Sequence, residues 1–260
     1  MKSTVGNKNG ISLVDSVVLV TGASRKRGIG QALVHEAINR GAKKVYATAR
    51  KLSQLEDLVA ECNGKVVPLE LDVTNSENID KIAKEASDVQ VLINNAGLAG
   101  LSGCTDNLDL KLARQEMDVN FFAPLEIISK FSPHLIKNEN SAVVNVVSIA
   151  GLYPTPILVS YSASKAALYS LTQAVRIEMS QHHVPVFGVY PGPIDTDMAD
   201  AVDVAKETPA DLAIRVFDGM EKGQLDITTD RLSDKFVNFL KVDMDAVLAL
   251  KEEFEKAGQN

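Results

Sequence analysis

Cysteine and histidine are scarce: the 260 residues include two cysteines, Cys62 and Cys104, and four histidines. Two cysteines cannot build the disulfide framework of a small secreted domain, and no pair of them has the spacing of a zinc site. No metal centre is expected, and a reducing cytoplasm suits the composition. Basic residues are in deficit as well, 27 against 34 acidic, for a net charge of -7. That balance excludes a nucleic-acid surface, which needs clustered Lys and Arg to displace phosphate counterions. Long apolar runs are missing too. No segment approaches the ~18 uninterrupted apolar residues of a membrane span, and the opening MKSTVGNKNGIS lacks an apolar core of signal-peptide length. A soluble protein without a membrane partner is expected. No internal repeat or low-complexity linker marks a boundary, so residues 1–260 are expected to form a single domain.

What is present is an alternation. Short β-branched runs, VVLVTG (17–22), KVYATA (44–49), KVVPLEL (65–71), VQVLINN (89–95), AVVNVVS (142–148) and VPVFGVYP (184–191), are separated by longer stretches of helical periodicity. Strands that alternate with helices require right-handed crossovers and a parallel sheet covered on both faces. The expected fold class is therefore α/β, a doubly wound parallel sheet of about seven strands, the seventh being the weaker LDITT (225–229). A polar helical extension is expected from about Arg231.

In open sheets of this kind, ligands bind beyond the carboxyl ends of the strands. The chain's punctuation collects at those ends: Gly22, Arg50, Asp72, NNAG (94–97), Ser148, and Pro191 with Gly192. In TGASRKRGIG (21–30) the glycines lie where a strand hands over to a helix. Gly22 permits a tight turn, while Gly28 and Gly30 let the backbone approach a pyrophosphate at the positive end of that helix. The second strand ends in YATARK, with no carboxylate at its tip to accept hydrogen bonds from a free ribose. A guanidinium there suits a 2'-phosphate, and Arg25 to Arg27 of the glycine loop are expected close to the same group.

Taken in order, the glycine loop, LDV (71–73), NNAG, Asn120, Ser148, YSASK (161–165) and PGPIDT (191–196) resemble the short-chain dehydrogenase/reductase family over roughly the first four fifths of the chain. The resemblance implies a Rossmann-like fold, an NADP(H) cofactor and hydride transfer to or from a carbon–oxygen group. Matching cofactor positions are Gly22, Ser24, Arg25, Arg27, Gly28, Ile29, Gly30, Arg50, Asp72, Val73, Asn94, Ala96, Gly97, Tyr161, Lys165, Pro191, Gly192, Ile194 and Thr196. The glycine loop departs from the family's T-G-x-x-x-G-x-G by two extra residues. Asp72 also reads as a helix-entry residue, Asn120 as a satisfied structural asparagine, and Thr196 as an N-cap.

The expected chemistry rests on Ser148, Tyr161 and Lys165, with Asn120 anchoring a water chain that restores the proton. Tyr161 and Lys165 are four apart in a segment of helical periodicity, so they rise on one face. A cation beside a phenol favours its ionised form. Met198 to about Lys206 resembles the family's mobile substrate lid. The walls IAGLYPTPILVS and LAGLSGC carry no fixed charge, which suits a ketone or aldehyde with an apolar body. An acyl thioester reductase or a silent NADP-sensing protein stand as alternatives. A homodimer through helices near 110–137 and 160–182 is the expected assembly, with a tetramer open, although no V-D-G-G-like ending follows the seventh strand.

Overall fold

The computed structural model describes residues 10–197 and 206–235. Most of the segment likened to a lid, and the chain beyond Lys235, therefore lie outside the described residues. The expected strands form where the β-branched runs lie: β1 Val17–Val20, β2 Lys44–Ala49, β3 Val66–Glu70, β4 Val91–Asn94, β5 Ala142–Val146, β6 Val186–Tyr190 and β7 Asp226–Thr228. The central strands β1, β4, β5 and β6 are buried at every position, which is why they read as continuous apolar runs rather than alternating ones. All seven pair in parallel in one sheet of order β3-β2-β1-β4-β5-β6-β7. The order reverses between β1 and β4, so the crevice of a doubly wound sheet opens there.

The helices are α1 Ile29–Asn39, α2 Glu56–Glu61, α3 Ser76–Glu85, α4 Leu110–Met117, α5 Ala123–Lys137, α6 Val159–Ser180 and α7 Pro209–Glu221. Two apolar cores lie on opposite faces of the sheet. One joins Leu33, Val34, Val216 and Phe217 of α1 and α7 to the sheet; the other joins Ile79, Phe131 and Val175 of α3, α5 and α6 to its other side. Charge fastens the margins: Arg40 at the end of α1 meets Glu36, Asp218 and Glu221, and Arg176 of α6 pairs with Asp226 of β7 at 2.8 Å.

Polar groups also run through the interior. Asn94 donates to Asn145 at 2.9 Å, and Asn145 donates to Thr172 of α6 at 3.0 Å, fixing β4, β5 and α6 in one register. Between α4 and α5 the chain widens into a π turn over Asp118–Phe122. Such single-turn insertions cluster at functional sites, because they re-aim one side chain and free backbone groups.

Gly30 shows how closely α1 sits on the strand tips, since a Cβ there would overlap the Gly22 carbonyl and lie 2.7 Å from Asn95 Nδ2. A Gly30→Ala substitution is expected to lower stability by about 1–3 kcal/mol, the usual cost of overpacking. Chemical denaturation of the purified variant checks it.

Candidate active site

The chain leaves β1 through Gly22, at φ 73°, where a Cβ would lie 2.8 Å from the Ala96 Cα. Thr21 and Asn95 lock this tip to that of β4. Thr21 Oγ1 accepts from the N–H groups of Asn95 and Ala96, both at 3.0 Å, and Asn95 Nδ2 donates to the Thr21 and Gly22 carbonyls at 2.8 and 3.1 Å. Of the two asparagines in NNAG, the first steadies the sheet and the second ties the crevice together. Asn94, expected both to shape a cofactor's ribose side and to steady the central strand, is buried, its Nδ2 donating to Asn145 and its Oδ1 without a partner among the described residues. In a strand successive side chains face opposite ways, so one asparagine of a pair must turn inward.

Gly28 stands at the start of α1 without a side-chain cap, and no acidic residue follows in the first turn. That helix start presents free N–H groups and the positive end of its dipole. The basic triplet before it divides three ways. Lys26 reaches Asp57 of α2 at 2.7 Å, and Arg27 reaches across to Asp195 at 2.7 Å and Asp197 at 3.6 Å, beyond β6. Arg27 is therefore held by carboxylates rather than gathered with Arg50, because its two aspartates lie on the opposite lip of the crevice. Arg25 and Arg50 carry no ion pair among the described residues.

Asp72 serves the turn into α3, its Oδ1 accepting from the N–H and hydroxyl of Thr74 at 3.0 and 2.7 Å. Val73 packs against the core beside it. At the other lip, the Gly192 N–H donates to Asp230 at 2.7 Å, and the N–H groups of Leu232 and Ser233 donate to the same buried carboxylate. A Cβ on Gly192 would lie 2.9 Å from the Asp230 Cγ. Ile194 is buried and bridges to Glu207. Thr196 donates to the Ile194 carbonyl at 3.4 Å, while the cap of α7 is Thr208. Asp230 escaped the sequence reading; its signal is the D-x-x-S pattern of 230–233, in which an Asp and a Ser cap one helical turn.

Ser148, Tyr161 and Lys165 converge beyond β5. Ser148 caps the turn Ile149–Gly151, its Oγ accepting from the Ala150 N–H at 3.1 Å. That turn lies directly on α6, for a Cβ on Gly151 would fall 2.7 Å from the Lys165 carbonyl. The Ser148 hydroxyl lies near enough to the Tyr161 phenol to favour its ionised form, while its own Oγ donates to the Pro191 carbonyl at 3.5 Å. Lys165, 4% exposed, donates to the Val146 carbonyl at 2.8 Å and lies 5.8 Å from the centre of the Tyr161 ring. The two side chains share one face of α6, as their spacing requires. Asn120, fully buried on the π turn, accepts from the Leu98 N–H at 2.9 Å and donates to the Leu98 carbonyl at 2.7 Å and to Ser164 at 2.9 Å. Gly97 closes the group, with room for a Cβ 3.4 Å from Asn120 Oδ1 and 3.7 Å from Lys165 Nζ.

Burial governs the electrostatics of the pair. Burial pushes the Tyr161 phenol up to about 12, the neighbouring Ser148 hydroxyl pulls it down, and the charge of Glu116 pushes it up. Burial also pulls Lys165 down to about 8. Desolvation dominates at both groups. Tyr161 holds its proton through neutral pH, and Lys165 is mostly charged at pH 7.

The family model for short chain dehydrogenases matches residues 16–207. The chain belongs to the short-chain dehydrogenase/reductase family. An uncharacterized oxidoreductase of Staphylococcus epidermidis is 30% identical over 193 residues, 73% of this chain and 82% of its own length. A 3-ketodihydrosphingosine reductase of Bacteroides thetaiotaomicron is 31% identical over 196 residues, 74% of this chain and 69% of its own. Among solved structures, a short chain dehydrogenase from Burkholderia cenocepacia in complex with NADP is 37% identical, with a TM-score of 0.84 over 92% of this chain and 98% of that one.

For a short-chain dehydrogenase, the donor set fits a dinucleotide. The uncapped start of α1 suits a pyrophosphate, Gly97 leaves a cradle beside Lys165, and Arg25 of the glycine loop and Arg50 just beyond β2 carry no ion pair among the described residues. Among the described residues no group of His, Cys, Asp and Glu could hold a metal ion, and no helix is long and apolar enough to cross a membrane. Asp230→Ala, which strips the acceptor from three N–H groups, is expected to cost about 2–3 kcal/mol and to loosen the Pro191–Thr196 segment. Thermal unfolding and hydrogen exchange at Gly192 read both effects.

Proposed function

We propose that this protein is an NADP(H)-dependent oxidoreductase that interconverts a carbonyl and an alcohol on a small substrate with an apolar body. The convergence of Ser148, Tyr161 and Lys165 on one spot beyond β5 carries the reading. When bound, NADPH supplies the hydride to the carbonyl carbon, and NADP accepts it in the reverse direction. Tyr161 gives its phenolic proton to the carbonyl oxygen, completing the alcohol, and takes it back during oxidation. Ser148 donates a hydrogen bond to the same oxygen and offsets its developing negative charge. Lys165 holds the nicotinamide ribose and stabilises the phenolate that remains after transfer. Asn120 fixes the Leu98 backbone beside them and anchors the water chain that returns a proton to Tyr161.

Preference for the 2'-phosphate rests on Arg50 and Arg25, which no carboxylate among the described residues neutralises, and on the lack of an acidic residue at the tip of β2. The Burkholderia cenocepacia relative, solved with NADP, supports it. An apolar substrate is supported by the wall segments. A β-bridge between Ser102 and Leu158 joins them, and Leu101, Tyr153 and Ile157 stand 61%, 59% and 59% exposed around it. The Bacteroides relative, by its name a reductase of 3-ketodihydrosphingosine, points the same way. Exposed Leu110, Phe122 and Leu125 on α4, the π turn and α5 suit the face of a homodimer.

Tyr161→Phe is expected to abolish reduction of apolar ketones and aldehydes while leaving NADPH affinity within about twofold, as measured by fluorescence titration and steady-state assay; a variant that keeps most activity would overturn the assignment. Arg50→Ala is expected to weaken NADPH binding roughly 10- to 100-fold, the worth of a charge-assisted contact, and to leave NADH nearly unchanged. Parallel kcat/KM measurements with the two cofactors give the answer.

A further inference from the structure

Arg27 spans the crevice from lip to lip. It stands in the glycine loop after β1, and its guanidinium meets Asp195 at 2.7 Å and Asp197 at 3.6 Å in the segment after β6. In the order β1-β4-β5-β6 those two strands are three places apart, about 14 Å at the ordinary strand spacing. The ion pair therefore arches over the ends of β4 and β5, where a doubly wound sheet binds its ligand. Its far anchor is firm. The Asp195 N–H donates to the Glu207 carbonyl at 2.8 Å, the Glu207 N–H donates to the Pro193 carbonyl at 3.2 Å, and the Gly192 N–H donates to buried Asp230 at 2.7 Å. At the near end the Gly28 N–H closes a turn onto the Arg25 carbonyl at 2.9 Å. An exposed ion pair is weak when two loose chains must be ordered to make it. Here the backbone of both lips is already fixed, and one guanidinium serves two carboxylates.

Charge gives the pair a second consequence. Asp195 and Asp197 stand within one guanidinium of the residue that precedes Gly28, the uncapped start of α1. Left unneutralised, they would repel the phosphates that such a helix start attracts. We infer that the Arg27–Asp195 pair is a clasp over the dinucleotide, an inference that rests on the reading of the crevice as the NADP(H) site: the pyrophosphate lies beneath the pair, and the pair parts before the cofactor leaves. Arg27 then serves the pyrophosphate span that NADPH and NADH share rather than the 2'-phosphate. Asp195, a residue of the wrong sign for a phosphate site, becomes a retaining group. Both are positioning residues, acting on the cofactor's residence and not on the proton transfer.

Release of NADPH and of NADH is followed by stopped-flow fluorescence in the parent, in Arg27→Ala, in Asp195→Asn and in the double variant. The two side chains are 52% and 53% exposed, so neither substitution opens a cavity. Each single substitution is expected to speed the release of both dinucleotides about threefold to fivefold, the upper range for an exposed pair, and the double variant is expected to release them no faster than either single one. Unchanged or slower release in Asp195→Asn would overturn the clasp, because Arg27 would then hold phosphate by itself. A change confined to NADPH would overturn it as well, returning Arg27 to the 2'-phosphate, as would a lower unfolding midpoint of the free protein with both release rates unmoved. A parent protein that binds neither dinucleotide would overturn the reading of the crevice, and the clasp with it.

Discussion

Everything at the site depends on a lysine held out of water. Lys165 is nearly inaccessible, and burial brings its ammonium from 10.5 to about 8, a difference worth about 3 kcal/mol against the charged form. Because the folded value lies below the unfolded one, this penalty stands in full below about pH 8. It fades as pH rises toward 10.5, so the fold gains stability from Lys165 across that window. A protein selected for stability alone would place an apolar side chain there. The Val146 carbonyl accepts a hydrogen bond from the ammonium at 2.8 Å, and Gly151 lets the turn after β5 lie against the backbone of α6 at Lys165. The cost is offset by chemistry: an ammonium fixed near a phenol, at the edge of a sheet where a dinucleotide fits.

The rest of the structure serves to hold that arrangement. Asn94, Asn145 and Thr172 set α6 against β4 and β5, and the turn capped by Ser148 rests on the backbone of α6 at Lys165. Asn120 clamps Leu98 through both its N–H and its carbonyl, so the loop after β4 and the π turn move as one. Two basic residues of the lengthened glycine loop act on the opposite lips of the crevice, Lys26 through Asp57 and Arg27 through Asp195. These surface pairs are individually weak, but they fix the course of a loop lengthened beyond its family's usual turn.

Much of this was legible in the sequence, and what was not has physical reasons. The buried parallel strands announced themselves as β-branched runs, and even β7 showed in LDITT, although of the strand's three residues only Ile227 is buried. The face shared by Tyr161 and Lys165 followed from helical spacing alone. Ion pairing did not: Arg27 and Asp195 are 168 positions apart, and only the fold decides which carboxylate a loop cation meets. Nor did the choice between Asn94 and Asn95, which depends on strand phase, or Asp230, whose acceptor role needs the Gly192 turn beside it. The phenol's high value was also hidden, since spacing reveals the neighbouring lysine but not the burial that raises the phenol.

The most direct check is the titration of the Lys165 ammonium itself, followed by NMR of its Cε and Nζ nuclei and assigned with Lys165→Met. The structure predicts a midpoint near about 8. A midpoint at the ordinary 10.5 would place the lysine in water, and the account of the site built around it would be wrong.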